Sequence, residues 1–265
     1  MSPSLRPAFD RLGFVAAGRA LKSRHRRLQR HVGTRWALAR SSSADERLAR
    51  LDPELWSGSL DWAQTFEDAP KPDVIQQLRK AAKGGGGDVR VLHFLTRLLR
   101  PEVAVETGVA AGWSTVAILT AMEENGFGQL WSSDLTYERR GAGRFDLDPG
   151  VLVPDRLRNR WTLLTEGDEV NIPEILRAVR KIDLVHYDSD KSVRGRRSVF
   201  SEVVPRLRSG AVIVVDDIGD NGHFRSLWRS LRWPGCVLQK GTGHVGILTH
   251  PESSLSEALD AFPGG

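Results

Sequence analysis

The chain contains little cysteine and no long apolar run. Its one cysteine, Cys236, excludes an intrachain disulfide and agrees with a reducing compartment. No apolar stretch approaches the roughly 18 to 20 residues that a membrane-spanning helix needs, and the N-terminus lacks the apolar centre of a signal peptide. We therefore expect a soluble, cytoplasmic protein. Its 265 residues, 40% of them hydrophobic, are sufficient for a full core.

The main part of the chain also lacks an excess of basic charge. Residues 1–44 contain ten Lys or Arg and one acid, a net +9, whereas residues 45–265 contain 28 basic and 32 acidic residues, a net −4, which together give +5. Because nucleic-acid binding requires a basic surface near the site, we expect no nucleic-acid partner. The basic arm is interpreted as a solvated helix or a disordered segment. Peripheral contact with an anionic membrane, an organelle transit peptide and a partner-binding site are the alternatives.

Composition divides the chain into three parts. Trp56, Trp62 and Phe66 predict a small helical cap, and four consecutive glycines at 84–87 indicate a flexible linker after it. The predicted parts are the basic N-terminal arm at 1–44, the helical cap and glycine linker at 45–87, and the main domain at 88–265.

Short apolar runs alternate with helical patterns throughout the main domain. Strands separated by helices predict a parallel sheet with helices on both faces, and the closely spaced last pair indicates an antiparallel edge hairpin. The fold class is therefore α/β: a doubly wound, mostly parallel seven-stranded sheet with an edge hairpin and an N-terminal helical extension. The long excursion at 136–160 is interpreted as a lid or as a surface insertion. Strands are predicted at 103–107, 129–134, 161–166, 182–188, 211–216, 237–240 and 245–249.

The stretch from Val103 to Thr115 predicts a strand, a glycine turn and a helix start. Gly108 permits a backbone conformation that a Cβ would forbid, and Gly112 lets a ligand lie against free N–H groups of the first helical turn. Ser114 adds a hydroxyl there, and Glu106 ends the strand with a carboxylate. A ligand that carries both a cation and an anion, such as an α-amino acid moiety, matches these groups. A purely structural turn is the alternative.

The spacing E-x-G-x-x-x-G-x-S over residues 106–114 resembles motif I of the class I S-adenosylmethionine-dependent methyltransferases. The dinucleotide fingerprint G-x-G-x-x-G fits less well, because Glu106 stands at its first glycine. The resemblance implies the methyltransferase variant of the Rossmann-like fold, with S-adenosylmethionine as cofactor bound by residues 88–265.

Every predicted core parallel strand ends in a carboxylate, where ligands bind in doubly wound sheets. Given this cofactor, Asp134 is placed to accept hydrogen bonds from the ribose hydroxyls and Asp168 from the adenine amino group. A helix N-cap at Asp134 and a turn at Asp168 are the structural alternatives.

Three of these carboxylates, Asp188, Asp216 and Asp217, end two neighbouring predicted strands. Such concentrated negative charge is unfavourable unless a cation neutralises it. Oxygen-only ligands favour Mg²⁺, or Mn²⁺ or Ca²⁺, over zinc. We therefore predict a divalent-metal site.

The segments 182–192 and 214–218 resemble the metal-binding motifs of catechol-type and macrocin-type O-methyltransferases, and the resemblance spans about residues 90 to 250. It implies that Lys191 is the general base. Ser189 replaces the family's histidine and Asp217 its asparagine, which favours a sugar or another vicinal diol over a catechol. The implied metal ligands are Asp188, Asp216 and Asp217, and the implied cofactor-binding residues are Glu106, Gly108, Val109, Gly112, Ser114, Asp134, Asp168 and Asp188.

The resemblance thus implies metal-dependent O-methylation of a small hydroxylated molecule such as a sugar, glycolipid or natural product. Lys191 or Asp188 is expected to take the proton, with His223 as an alternative base. A Lys191–Asp190 ion pair and an ordinary loop position for His223 are the structural alternatives. An RNA or protein methyltransferase recruited by the basic arm and a non-catalytic cofactor-binding protein are the alternative functions. We also expect a homo-oligomer.

Overall fold

The computed structural model describes residues 23–24, 27–71, 73, 75, 87–136, 148–253 and 255–256. Most of the predicted helix at 72–83, most of the glycine linker, the central part of the 136–160 excursion and most of the predicted final helix at 254–261 lie outside the described residues. Within the described residues, no helix is both long and apolar enough to cross a membrane.

One mixed sheet of eight strands forms the centre of the structure. Its order is β1-β7-β8-β6-β5-β2-β3-β4; β2 to β6 are parallel, and β8 runs antiparallel to β6 and β7. The predicted fold class is confirmed, with one strand more than expected because Ser41–Ser42 pairs with β7. The strands are β1 (Ser41–Ser42), β2 (Val103–Thr107), β3 (Gln129–Ser133), β4 (Trp161–Leu164), β5 (Ile182–Tyr187), β6 (Leu207–Val215), β7 (Gly235–Lys240) and β8 (Gly243–Thr249).

Helices cover both faces of the sheet and bury two hydrophobic clusters. Successive strand residues point to opposite faces, so Leu184 packs in one cluster and Val185 in the other. Helices α4 and α5 pack together on the first face, and α6 and α7 on the second. The helices are α1 (27–38), α2 (Ala44–Leu48), α3 (Pro53–Asp68), α4 (Val89–Leu99), α5 (Trp113–Asn125), α6 (Asp168–Ala178), α7 (Val193–Val203) and α8 (His223–Leu231).

The predicted cap belongs to the core of the main domain. Asp52 caps α3 by accepting from Leu55 N, and the buried Trp56 of that helix lies edge-on to Phe94 of α4 with ring centroids 5.4 Å apart. Trp62 stacks on His93, also of α4. The cap helices α2 and α3 therefore share one hydrophobic cluster with α4 and α5.

Helix α1 in the basic arm is docked on the main domain along one face. Arg30 forms an ion pair with Asp220, and Thr34 Oγ1 donates to Gly219 O over 3.2 Å. A Cβ on Gly33 would lie 2.6 Å from the same Gly219 oxygen, so glycine permits this close approach. Trp36 packs against Phe224 and Trp228 at the end of the interface. Residues 27–38 thus form a helix, as one of the two interpretations held, but this helix is docked along one face instead of being solvated all round.

Candidate active site

A cavity of about 980 Å³ opens at the carboxyl ends of the parallel strands. Strand β2 pairs with β3 on one side and with β5 on the other, so the chain adds its strands first on one side of β2 and then on the other. Ligands of such sheets usually bind at the point where the strand order reverses in this way. The lining includes Gly108, Ala110, Asp134, Leu135, Glu166, Gly167, Asp168, Asp188, Ser189, Lys191, Asp216, Asp217 and Lys240.

Gly108 turns the chain sharply after β2. Its φ is +84°, and a Cβ there would lie 2.6 Å from the carbonyl oxygen of Asp188. Asp188 N also donates to Thr107 O over 2.9 Å. Gly108 therefore permits the close approach of the loop that follows β5, and it also lines the cavity.

Glu106 points away from the cavity. Its side chain is fully buried and accepts hydrogen bonds from Ser114 Oγ (2.6 Å), Thr115 Oγ1 (2.8 Å) and Ser132 Oγ (2.8 Å). Strand alternation turns residue 106 toward the face that α5 covers, where the hydroxyls of the first helical turn satisfy it. The expected contact of Glu106 and Ser114 with a ligand is corrected accordingly: the two residues bind each other.

The helix start at Gly112 is covered by protein. A Cβ on Gly112 would lie 3.0 Å from Gly150 Cα, and Gly150 N donates to Ala110 O over 2.8 Å. Val109 is buried as well. Among the described residues, the segment around Gly150 therefore occupies the place at Gly112 that the sequence assigned to a ligand, and neither Val109 nor Gly112 lines the cavity.

Asp134 and Asp168 both line the cavity, as expected from their strand ends. Asp134 Oδ2 accepts from Val109 N (2.9 Å) and Ala110 N (2.7 Å), which fixes the glycine turn. Asp168 Oδ1 accepts from Ser133 Oγ (2.6 Å), and its Oδ2 accepts from Ser189 Oγ (2.5 Å). Both carboxylates hold neighbouring loops together; their ribose and adenine contacts remain predictions.

The acidic cluster forms as the sequence predicts. Carboxylate oxygens of Asp188, Asp216 and Asp217 lie within 4.8 Å of one another. Two lysines contact the cluster: Lys191 pairs with Asp188 and lies 3.3 Å from Asp217 Oδ2, and Lys240 Nζ lies 2.7 Å from Asp216 Oδ2. Lys191 therefore pairs with the cluster instead of with Asp190.

Residues 105–218 match the family model described as a methyltransferase domain. This match identifies a methyltransferase domain at these residues, in agreement with the expected S-adenosylmethionine-dependent methyltransferase. No curated protein matches its sequence.

Solved methyltransferases have the same fold. The O-methyltransferase TomG from Streptomyces achromogenes, solved in complex with S-adenosylmethionine, is 17% identical; the match has a TM-score of 0.52 and covers 75% of this chain and 99% of that one. A methyltransferase from Geobacter sulfurreducens is also 17% identical, with a TM-score of 0.50 and coverage of 72% and 96%. At these identities the likeness shows the fold alone.

The acidic cluster holds Lys191 as a cation. Burial lowers the pKa of Lys191, but the charges of Asp188 and Asp217 and the hydrogen bond to Asp188 outweigh it, so the pKa is raised. Burial raises the pKa of Asp188 to about 6 against the opposing charge of Lys191. In this arrangement Lys191 is a hydrogen-bond donor and offers no free lone pair, which disfavours the predicted general base.

Arg196 binds the backbone of Asp216 and Asp217. Its side chain is fully buried, and Nη2 donates to the carbonyl oxygens of Asp216 (3.1 Å) and Asp217 (2.9 Å). Asp217 has a φ of +51°, a left-handed conformation that Asp tolerates better than most residues. No sequence motif signals the contact of Arg196 with this turn.

His223 is not brought to the cavity. It is buried, its ring stacks on Phe200 with centroids 5.8 Å apart, and burial with the charges of Arg196 and Arg197 lowers its pKa to about 4. It does not belong to the cavity lining. The prediction of a base at His223 therefore has no support from the geometry of the described residues.

Proposed function

We propose that this methyltransferase transfers the methyl group to a hydroxyl of a small molecule, with the help of a divalent cation. The observation that carries the proposal is the convergence of Asp188, Asp216 and Asp217 at the edge of the cavity. TomG, which shares the fold, is described as an O-methyltransferase of tomaymycin synthesis. A vicinal diol, as in a sugar, glycolipid or natural product, suits a site of this kind.

The residues around the cavity fit the cofactor by their position. Gly108, Asp134 and Asp168 lie at three adjacent strand ends, where S-adenosylmethionine, when bound, would supply the methyl group. Asp134 also orders the N–H groups of the turn after β2, and Asp168 ties that region to Ser189. These residues would position the donor, and positioning supplies much of the rate of a methyl transfer.

The acidic cluster fits a hard divalent cation by its donor set, since Asp188, Asp216 and Asp217 offer oxygen ligands only. A cation held there would lower the pKa of an acceptor hydroxyl. Lys191 and Lys240 lie at the same carboxylates, so a cation would have to share those oxygens with two ammonium groups. The lysines therefore set the affinity for the metal.

Replacing Lys240 with methionine should tighten Mn²⁺ binding by about tenfold or more, because it removes a like charge at Asp216. Mn²⁺ affinity is measured by electron paramagnetic resonance on the protein without acceptor. The control is Lys181→Met, which removes the same charge before the opposite end of β5. Unchanged Mn²⁺ affinity in Lys240→Met, or no Mn²⁺ binding in either protein, would contradict a metal site at this cluster.

The proposed reaction is tested by methyl transfer to a panel of sugars, catechols and other vicinal diols after treatment with a chelator. We expect product with at least one diol, loss of nearly all turnover on chelation, and recovery with Mg²⁺ or Mn²⁺. Turnover that survives chelation would overturn the metal part of the proposal. Methylation of RNA or protein, with none of the diols, would overturn the small-molecule part.

Deleting the arm is not a suitable test of recruitment, because Trp36 and Ala37 pack against the main domain. Substitution of exposed arginines leaves that packing intact. Turnover on a small molecule should then be unchanged in an Arg24→Gln/Arg35→Gln variant, whereas a substrate recruited by the arm would lose turnover with the charges.

A further inference from the structure

Helix α1 exposes an apolar stripe on the side opposite its docked face. Leu28 is 62% exposed and Val32 is 50% exposed, and Leu38 further along is 59% exposed. Among the described residues only one other large hydrophobic side chain, Val170 at 53%, is comparably exposed. Three of the four such side chains therefore lie on one short helix.

Positive charge surrounds this stripe. Arg24, Arg27 and Arg35 are exposed. Residues 11–44 contain nine Lys or Arg and no acid, whereas residues 45–265 are net negative. An apolar stripe bordered by arginines on a helix is the pattern of segments that lie in the interface of an anionic membrane.

The contacts between α1 and the main domain determine which side of the helix faces solvent. Arg30, Gly33 and Thr34 face the segment that follows the acidic pair. Leu28 and Val32 are four residues apart and thus project together from the other side. Because the main domain holds the helix, the stripe is already ordered before it meets a partner, which lowers the entropic penalty of binding.

We propose that helix α1 binds this methyltransferase to the surface of an anionic lipid membrane. Arg24, Arg27 and Arg35 contact phosphate headgroups, while Leu28 and Val32 enter the boundary between headgroups and acyl chains. A nucleic acid would account for the arginines but would leave the apolar stripe in water. The lipid surface accounts for both features.

Flotation of the full-length protein with lipid vesicles tests the proposal. We expect binding to phosphatidylcholine vesicles that contain phosphatidylglycerol, little binding to phosphatidylcholine alone, and weaker binding as salt rises. Arg24→Gln/Arg35→Gln should weaken binding by about 25-fold, at about fivefold for each charge. Leu28→Ser/Val32→Ser, which keeps every charge, should weaken it by about tenfold or more.

Two control variants separate this helix from the rest of the surface. Val170→Ser removes the fourth exposed apolar side chain, and Arg194→Gln/Arg197→Gln removes two exposed charges from α7. Both should bind vesicles as the unaltered protein does. Melting temperatures of all variants should agree, since all the altered side chains are exposed.

Three results would overturn the proposal. One is equal binding to neutral and anionic vesicles, or no binding to either. The second is binding to RNA or DNA that requires the arginines but tolerates Leu28→Ser/Val32→Ser. The third is a self-associating protein that becomes monomeric in Leu28→Ser/Val32→Ser, which would assign the stripe to a second copy of the chain. None of these readouts depends on methyl transfer.

Discussion

Asp216→Asn should lower turnover by at least about 100-fold while S-adenosylmethionine affinity stays within about threefold. Asp216 is buried; its Oδ1 accepts from Asp217 N over 3.0 Å, and its Oδ2 binds Lys240. Asparagine keeps the shape and can keep the backbone hydrogen bond, but it removes the charge that a cation needs. The proposed cofactor residues Gly108, Asp134 and Asp168 lie at other strand ends, so cofactor affinity should be spared.

Steady-state turnover and calorimetric titration of the cofactor measure the two effects separately. The matched control is Asp217→Asn at the adjacent cluster residue. Asparagine tolerates the left-handed conformation at this position, and an Asp-Asn pair is one of the two patterns found here in the O-methyltransferases that the sequence resembles. Turnover should therefore fall by less than about tenfold. Equal loss of turnover and cofactor affinity in Asp216→Asn would count against a metal role.

Gly108→Ala should lower the free energy of unfolding by about 2–4 kcal/mol and weaken S-adenosylmethionine binding by more than about tenfold. The positive φ alone strains any residue with a Cβ. In addition, the new methyl group would meet the backbone of Asp188 at 2.6 Å, and backbone moves less readily than a side chain. The β2 turn and the β5 loop would separate, which changes the cavity wall on both sides.

Gly58→Ala is the control for this substitution, because Gly58 lies within α3 and a Cβ there meets nothing within 4 Å. Alanine should stabilise the helix by about 0.5–1 kcal/mol and leave cofactor affinity unchanged. Urea unfolding and cofactor titration are applied to both variants. A Gly108→Ala protein as stable and as tightly binding as the unaltered one would show that the turn can relax.

The strands could be predicted where their residues form apolar, β-prone runs. The β5 strand was predicted at 182–188 and is observed at Ile182–Tyr187. Strand β6 begins at Leu207, before the predicted 211, because pairing of Leu207 with Ile182 extends it through a polar stretch. Strand β1 could not be found: two serines have no periodicity, and only the exposed edge of β7 gives them a partner.

The docking of helix α1 in the basic arm likewise could not be predicted from the sequence. Its basic composition is compatible with a solvated segment, and the sequence pattern alone does not reveal a partner surface. The close approach of Gly33 to Gly219 depends on a loop 186 positions away in the chain (219 minus 33), and nothing local signals it.

The sequence by itself determined that Asp188, Asp216 and Asp217 would meet, because carboxyl ends of neighbouring parallel strands lie at one edge of a sheet. Tertiary structure alone decided what faces them. Lys240 reaches Asp216 from the antiparallel hairpin, 24 positions further along the chain, and Glu106 turns toward α5 instead of the cavity. The order of the strands places the hairpin of β7 and β8 beside β6, and the helices that cover each face of the sheet decide which side chains are buried. Both depend on contacts between distant parts of the chain.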